Sequence, residues 1–461
     1  MKKILLSLCT LVGTMAFAQI KEYDQYSTNA LGLYSQDINA GNAKYIGVGG
    51  AVGALGSDIN SVEQNPAGLG VAINSEVQVT AGVSSYNNET TFGTKINEKD
   101  NRFNFQQFGG TFVFANEGSK WNRFSIGVAY LNQRLDNRST IGTNENIKFA
   151  NPDGTFAGYI KDVDGYKSKF TVNLGTSYED KFYLGAGLNF HETNYTSYEQ
   201  YAERDDNNGK TYVYNLNGAP YSEIGQGFSF SLGAIYKVNH NVRLGAAYHS
   251  PVWYNIAEDF YKANNFNTDG TVDSYYMYSS DYDMTRGGRF VGSLGFVVGK
   301  NLSFGADYTY HLNDDTKLKP KRYFANSNNF INDYVKNSSE VRLGAEYRIE
   351  RFKLRAGYNY VASPMKDITL DLANENNIVS KNSISTPFIG EINRTSFGFG
   401  YDFGGFYIDA AYQYQTQKYN YLIGKSDYVD SNNEYVSLSN AYSPKVKLNN
   451  NLFLVTLGWQ F

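Results

Sequence analysis

The chain has 461 residues, with 41 basic against 45 acidic side chains for a net charge of −4, and it holds 45 Gly, 40 Tyr and 30 Phe but only 8 Pro and one Cys. No run of about 20 apolar residues follows residue 20, which excludes a helical membrane bundle, and there is no basic excess to recruit nucleic acid. Tyr and Phe favour pleated surfaces, and Gly, well above its usual ~7%, disfavours helix interiors, so the composition points to an all-β fold.

Residues 1–18 read as a cleaved signal peptide: Lys2 and Lys3, an apolar core from Ile4 to Val12, and a small-residue site at Ala16-Phe17-Ala18. The mature chain is then expected to begin at Gln19. Cleavage removes Cys9, so disulfides and thiolate metal sites are not expected, and export without disulfides at this size suggests a Gram-negative envelope protein.

From about residue 73 onward, every second residue is aromatic or aliphatic and the intervening ones are Gly, Ser, Thr, Asn or charged. Arg243-Leu-Gly-Ala-Ala-Tyr248, Ser303-Phe-Gly-Ala-Asp-Tyr308 and Arg342-Leu-Gly-Ala-Glu-Tyr347 are clear copies. Period two predicts strands with two unlike faces. Short turns at 179–180, 239–240, 299–300, 350–351 and 404–405 alternate with long polar segments around 137–166, 199–223, 256–284, 314–337, 363–390 and 420–445. That asymmetry is expected of an outer-membrane barrel.

Starts near 73, 103, 122, 167, 181, 224, 241, 286, 301, 338, 352, 392, 405 and 446 predict a transmembrane antiparallel β-barrel of about 14 strands over 73–461. Mid-strand charges such as Arg243, Asp307, Arg342, Glu346, Arg355, Asp402 and Asp409 are assigned to the lumen, where the acids are expected to pair with the arginines across strands. Leu244, Phe304, Leu343, Leu354 and Ile408 are assigned to lipid. Tyr308, Tyr310, Tyr358, Tyr360, Tyr412 and Tyr414 are expected at the bilayer interface. At the end of the chain Phe453, Val455, Leu457, Trp459 and Phe461 share one face, which resembles the terminal signal read by the barrel assembly machinery.

Residues 19–72 lack the strand pattern. Asp58 or Ser57 can cap one short helix, and Asn65 another with Pro66 at its first position. Glycines 47, 49, 50, 53 and 56 permit tight packing and positive φ. The glycine spacing is not that of a dinucleotide fingerprint, and no phosphate-loop lysine follows. A small plug inside the barrel is the expectation. The run Gly49-Gly-Ala-Val-Gly-Ala-Leu-Gly-Ser-Asp-Ile-Asn-Ser-Val-Glu-Gln-Asn-Pro-Ala-Gly-Leu69 resembles the N-terminal hatch of the FadL family of long-chain fatty acid and hydrocarbon transporters, whose characteristic tripeptide matches Asn65, Pro66 and Ala67. Gly245-Ala-Ala-Tyr-His-Ser-Pro251 is similar to a mid-barrel segment of that family.

The resemblance implies a monomeric outer-membrane barrel that takes up a hydrophobic small molecule by diffusion. It implies hatch packing at Gly49, Gly50, Gly53, Gly56 and Gly68, and a wall kink or lateral exit in the third strand around Gly127, Tyr130 and Leu131. Inward glycines, among them Gly127, Gly175, Gly185, Gly187, Gly245, Gly305, Gly344, Gly357, Gly398 and Gly400, would leave room for a hatch or merely relieve crowding in a twisted barrel. The alternatives are a FadL-like barrel that carries a protein partner in type IX secretion and a haem receptor. The haem reading finds no paired ligands: His191, His249 and His311 fall on separate strands and His240 in a turn. An energised 22-stranded transporter needs a much longer chain. Neither enzymatic activity, a metal nor a cofactor is expected.

Overall fold

The computed structural model describes residues 25–148, 154–266, 272–373, 379–421, 428–429, 435–436 and 443–461. The expected signal peptide lies outside them. Alternation does what the sequence suggests: 14 antiparallel strands close into one barrel. They are β1 (Glu76–Phe92), β2 (Thr94–Ala115), β3 (Trp121–Arg134), β4 (Gly154–Tyr178), β5 (Phe182–Asp205), β6 (Thr211–Lys237), β7 (Val242–His249 and Val252–Phe266), β8 (Val272–Arg286 and Arg289–Val298), β9 (Leu302–His311), β10 (Ser338–Ile349), β11 (Phe352–Val361), β12 (Ile392–Asp402), β13 (Phe406–Asn420) and β14 (Lys445–Gln460). Closure runs from Glu76↔Gln460 to Thr91↔Lys445 between β1 and β14, so the wall itself has no free edge.

The two faces settle which environment surrounds it. Leu244, Phe304, Leu343 and Leu354 are 43–49% exposed on the outside, whereas Asp307, Arg342, Arg355 and Asp409 inside are at most 9% exposed. A soluble sandwich would reverse this arrangement; a transmembrane barrel requires it. Phe453, Val455, Trp459 and Phe461 all point outward on β14. Three of the tyrosines expected at the bilayer interface reach neighbouring strands: Tyr358 donates to Asn393 Oδ1 at 2.7 Å, Tyr412 to Asn451 Oδ1 at 2.8 Å and Tyr414 to Asn449 Oδ1 at 3.0 Å.

Strand starts at the short-turn end match the sequence reading closely, but the long-loop end differs. Much of the segments read as loops at 137–166, 199–223 and 256–284 is strand: β4, β5 and β6 run for 25, 24 and 27 residues. Beyond the bilayer a strand needs no apolar face, so its hydropathy alternation fades while its hydrogen-bonded ladder continues. Two adjacent strands are interrupted at matching places, β7 at Ser250-Pro251 and β8 at Gly287-Gly288. Ser250 keeps β7 on β6 through reciprocal bonds with Phe230, both 2.9 Å. Above this level β6, β7 and β8 turn Tyr221, Ile256, Tyr282 and Met284 inward, into an apolar cluster with Phe330 and Ile331 of the helix Ala325–Tyr334.

Candidate functional site: the lumenal segment and its glycine-lined wall

Residues 42–71 form three short helical turns, each started by a polar side chain. Asn42 Oδ1 accepts from Tyr45 N at 2.7 Å, Asp58 Oδ1 from Asn60 N at 2.8 Å and Asn65 Oδ1 from Ala67 N at 3.0 Å. These caps satisfy amides that a short helix leaves open. Asn65 does more than cap. Its Nδ2 donates to the main-chain oxygens of Ala234 on β6 at 3.1 Å and Ala246 on β7 at 3.4 Å, while Pro66 occupies the first helical position. Ala67 is fully buried. The tripeptide therefore joins a helix start to two wall strands.

The wall meets this segment with glycine. A Cβ on Gly185 would stand 2.2 Å from Pro66 C, one on Gly357 would stand 2.1 Å from Gly49 N, and one on Gly305 would stand 2.0 Å from Ala51 O. Gly344 faces Val48 O, Gly245 faces Gly53 O, Gly175 faces Gly70 N, and Gly398 faces Gly47 Cα, all within 3.2 Å of a Cβ placed there. Gly127 meets the side chains of Ile59 and Leu69. Two members were absent from the sequence reading, Gly233 against Asn65 and Gly295 against Leu55 and Ala54, though the same Leu-Gly pair marks them at 232–233 and 294–295. Two of its choices face elsewhere: Gly187 meets Asn173 and Ser231, and Gly400 meets Asp409 and Arg355. Each of β3 through β12 thus contributes one glycine to a girdle around the segment.

The segment's own glycines are just as confined. Gly49 has φ +63 and lies against Tyr358 N, Gly50 has φ +74 and lies against Tyr45 and Arg342, and Gly56 has φ +64 and lies against Gly68. Gly53 abuts Ser293 Oγ and Gly68 abuts Ser61 Oγ.

Polar anchors complete the attachment. Gly53 N donates to Asp307 Oδ2 at 3.1 Å, Arg243 Nη1 to Leu55 O at 2.8 Å, and Arg342 Nη1 to Gln64 Oε1 at 2.6 Å. Lys169 pairs with Glu63, and Arg286 and Arg289 both pair with Asp37. These anchors correct part of the expected pairing. Arg355 does bridge Glu346 and Asp409 at 2.7 and 3.0 Å. Asp402 takes Lys353 at 3.3 Å, Arg342 takes Glu340 of its own strand at 2.6 Å, and Asp307 and Arg243 serve the lumenal segment instead. Alternation places a side chain in the lumen but does not say whether a residue of the wall or of the lumenal segment lies nearest.

The three histidines on strands are engaged by protein. His191 contacts Ser229 Oγ at 2.8 Å, His249 contacts Gln64 O at 3.2 Å and His311 contacts Glu340 at 3.1 Å. Asp37, His311 and Glu340 bring three ligand-type atoms within 4.8 Å. Arg286, Arg289 and Arg342 already hold those carboxylates, so the donor set suits an ion-pair network rather than a metal.

The third strand runs unbroken through Gly127, Tyr130 and Leu131, paired with β4 throughout. Its ladder to β2 stops at Gln107↔Leu131, beside the register shift that β2 makes against β1. Leu131 is fully buried in an apolar cluster with Ile59, Val62 and Leu69. Among the described residues, β7 and β8 are interrupted along their own length, at 250–251 and 287–288. At the short-turn end a cavity of about 760 Å³ lies beneath the segment, lined by charged groups including Lys44, Arg123, Glu346 and Asp402. On the other side the described cavities are of about 50 Å³ each, beside Asp37.

No protein-family model and no curated protein matches the chain. Among solved structures it is similar to a Pseudomonas aeruginosa FadL homologue, with 15% identity, TM-score 0.57, and coverage of 92% of this chain and 99% of that one. It is similar to the Pseudomonas putida toluene transporter TodX, with 13% identity, TM-score 0.55 and coverage of 93% and 100%. The Ralstonia pickettii toluene transporter TbuX matches with 13% identity, TM-score 0.51 and coverage of 92% and 99%. The chain has the barrel fold of these transporters.

Proposed function

We propose that the protein is a monomeric outer-membrane channel for passive uptake of hydrophobic small molecules, with residues 19–72 as a hatch and residues 73–461 as the barrel. The observation that carries this reading is the girdle: wall glycines from β3 to β12 let the main chain of the segment approach the wall closely enough to seal the lumen to hydrophilic solutes. The outward apolar face and the fold shared with toluene transporters support it. The parting of β2 from β3 at Leu131, lined inside by Ile59, Val62 and Leu69, is the lateral exit we favour. The outward face of Phe453 to Phe461 is the element offered to the assembly machinery, and the surrounding lipid is the outer membrane.

The test is mass spectrometry of the purified protein. A copurifying lipid, hydrocarbon or detergent in the lumen supports uptake; a stoichiometric protein with an empty lumen overturns it in favour of a protein carrier. That second reading draws on the tall extension of β5 and β6, where Tyr198, Tyr212 and Val213 are 44–60% exposed.

A further inference from the structure

Above the hatch, the inward face of the wall places two acids side by side. Glu223 of β6 and Glu258 of β7 are direct cross-strand partners, and they are 1% and 3% exposed. Like charges directly opposite on paired strands repel, and a buried carboxylate without a counter-ion is costly. Among the described residues no cation pairs with either acid. Arg286 instead holds Asp37, and Lys161 holds Glu199 at 2.6 Å. The groups facing the pair are polar but uncharged, namely Tyr221 from β6, Tyr254 from β7, Ser280 and Tyr282 from β8, Tyr195 from β5, and Tyr26, Asn29 and Tyr34 from the helical stretch 25–34.

Counting protons decides the state of the pair. Tyr221 Oη lies 2.7 Å from Glu223 Oε2 and 3.0 Å from Glu258 Oε2. A phenol carries one proton and can donate to only one of them. The second oxygen pair, at hydrogen-bond distance, needs its proton from the carboxyl. Glu258 Oε1 already receives Tyr26 Oη at 2.9 Å and Ser280 Oγ at 2.6 Å. Tyr34 and Asn29 of the N-terminal segment face the Glu223 carboxylate.

We propose that Glu223 and Glu258 share one proton and form a pH-sensitive latch that holds residues 25–34 in a cap, the apolar cluster of β6, β7, β8 and the helix Ala325–Tyr334. The docked segment contributes Tyr26 to the latch and fills the surrounding apolar cluster with Leu31, Leu33 and Tyr34. Removing the proton leaves two buried, opposed carboxylates. Water relieves them only if the segment lifts away. Burial, and then the opposed Glu258 carboxylate, raise the pKa of Glu223 in the docked state above its undocked value, so docking is strongest while that acid is protonated in both states. It weakens by about tenfold per pH unit between the ordinary glutamate value of about 4.3 and the docked value, then levels off. Unlatching would vacate the site that Leu31, Leu33 and Tyr34 occupy, whether or not the barrel is a channel.

Hydrogen exchange of the full chain in lipid nanodiscs, corrected for intrinsic rates, tests this between about pH 4.5 and about pH 9. Protection of residues 25–34 should fall at least about tenfold across that range, while residues 42–71 keep theirs as an internal control for folding. Glu223→Gln and Glu258→Gln should each keep 25–34 protected at the upper pH. Protection in the wild type that ignores pH, or that falls equally in both variants, overturns the latch. Protection that is independent of pH but lost on chelation of divalent cations also overturns it, assigning the pair to a metal ion.

Discussion

Residues 42–71 and residues 25–34 both lie inside the barrel, yet they are held by opposite means. The first meets the wall main chain to main chain across glycines, with caps and anchors such as Asn65 and Asp307. The second is held by side chains, with Leu31 fully buried, Leu33 at 6% and Tyr34 at 1% exposure against Tyr221, Ile256 and Phe330. A contact made by the absence of Cβ atoms has one fitting geometry and fails abruptly when an atom is added. A contact made by apolar side chains weakens in proportion to what is removed and can detach as a unit. On the reading proposed above, residues 42–71 act as the hatch that stays and residues 25–34 as the part that moves.

Substitutions at four places break or sharpen that contrast: the cap, the wall faces, the glycine girdle and Asn65. Leu31→Ala removes a fully buried side chain and should cost about 2–5 kcal/mol of cap stability, read as faster hydrogen exchange over 25–34 with 42–71 unchanged. Concerted loss over both stretches would show that they are one unit. Leu244→Arg or Leu343→Arg, on the lipid face, should cost about 2–4 kcal/mol if near the bilayer midplane and lower the yield of folded barrel. Arg243→Leu should be tolerated far better in the same heat-modifiability gel, and equal effects would refute the inside–outside assignment. Gly357→Ala places a Cβ 2.1 Å from Gly49 N and should cost about 1–3 kcal/mol, displacing the hatch so that small hydrophilic antibiotics enter. Unchanged sensitivity would mean the girdle is not a seal. Asn65→Ala should cost about 1 kcal/mol as a lost cap; Asn65→Ser, which can still cap but cannot reach both wall carbonyls, separates the two roles in a thermal melt.

Much of this organisation was legible from local pattern. Alternation around Leu244, Phe304 and Leu343 predicts the barrel, and Asp58 and Asn65 predict the helix starts, because strand faces and caps depend on residues within a few positions. The extent of β4 to β6 was not legible, since strand pairing continues beyond the bilayer without an apolar face to announce it. Eight of the wall glycines chosen from the sequence do meet the segment, whereas Gly187 and Gly400 do not: a glycine's neighbour is set by register and by the path of the plug.

The sequence by itself determined the inside and outside of the wall, because a period of two forces alternate side chains to opposite faces whatever the rest of the chain does. Only the tertiary structure decided that Glu223 and Glu258 stand opposite each other under Tyr26 and Tyr34. In the sequence they fall in the long polar segments 199–223 and 256–284, where nothing sets them apart from other loop acids. Each acid is more than thirty positions along the chain from the other and from Tyr26 and Tyr34 above the pair, and they come together only when the barrel closes and the N-terminal segment fills it.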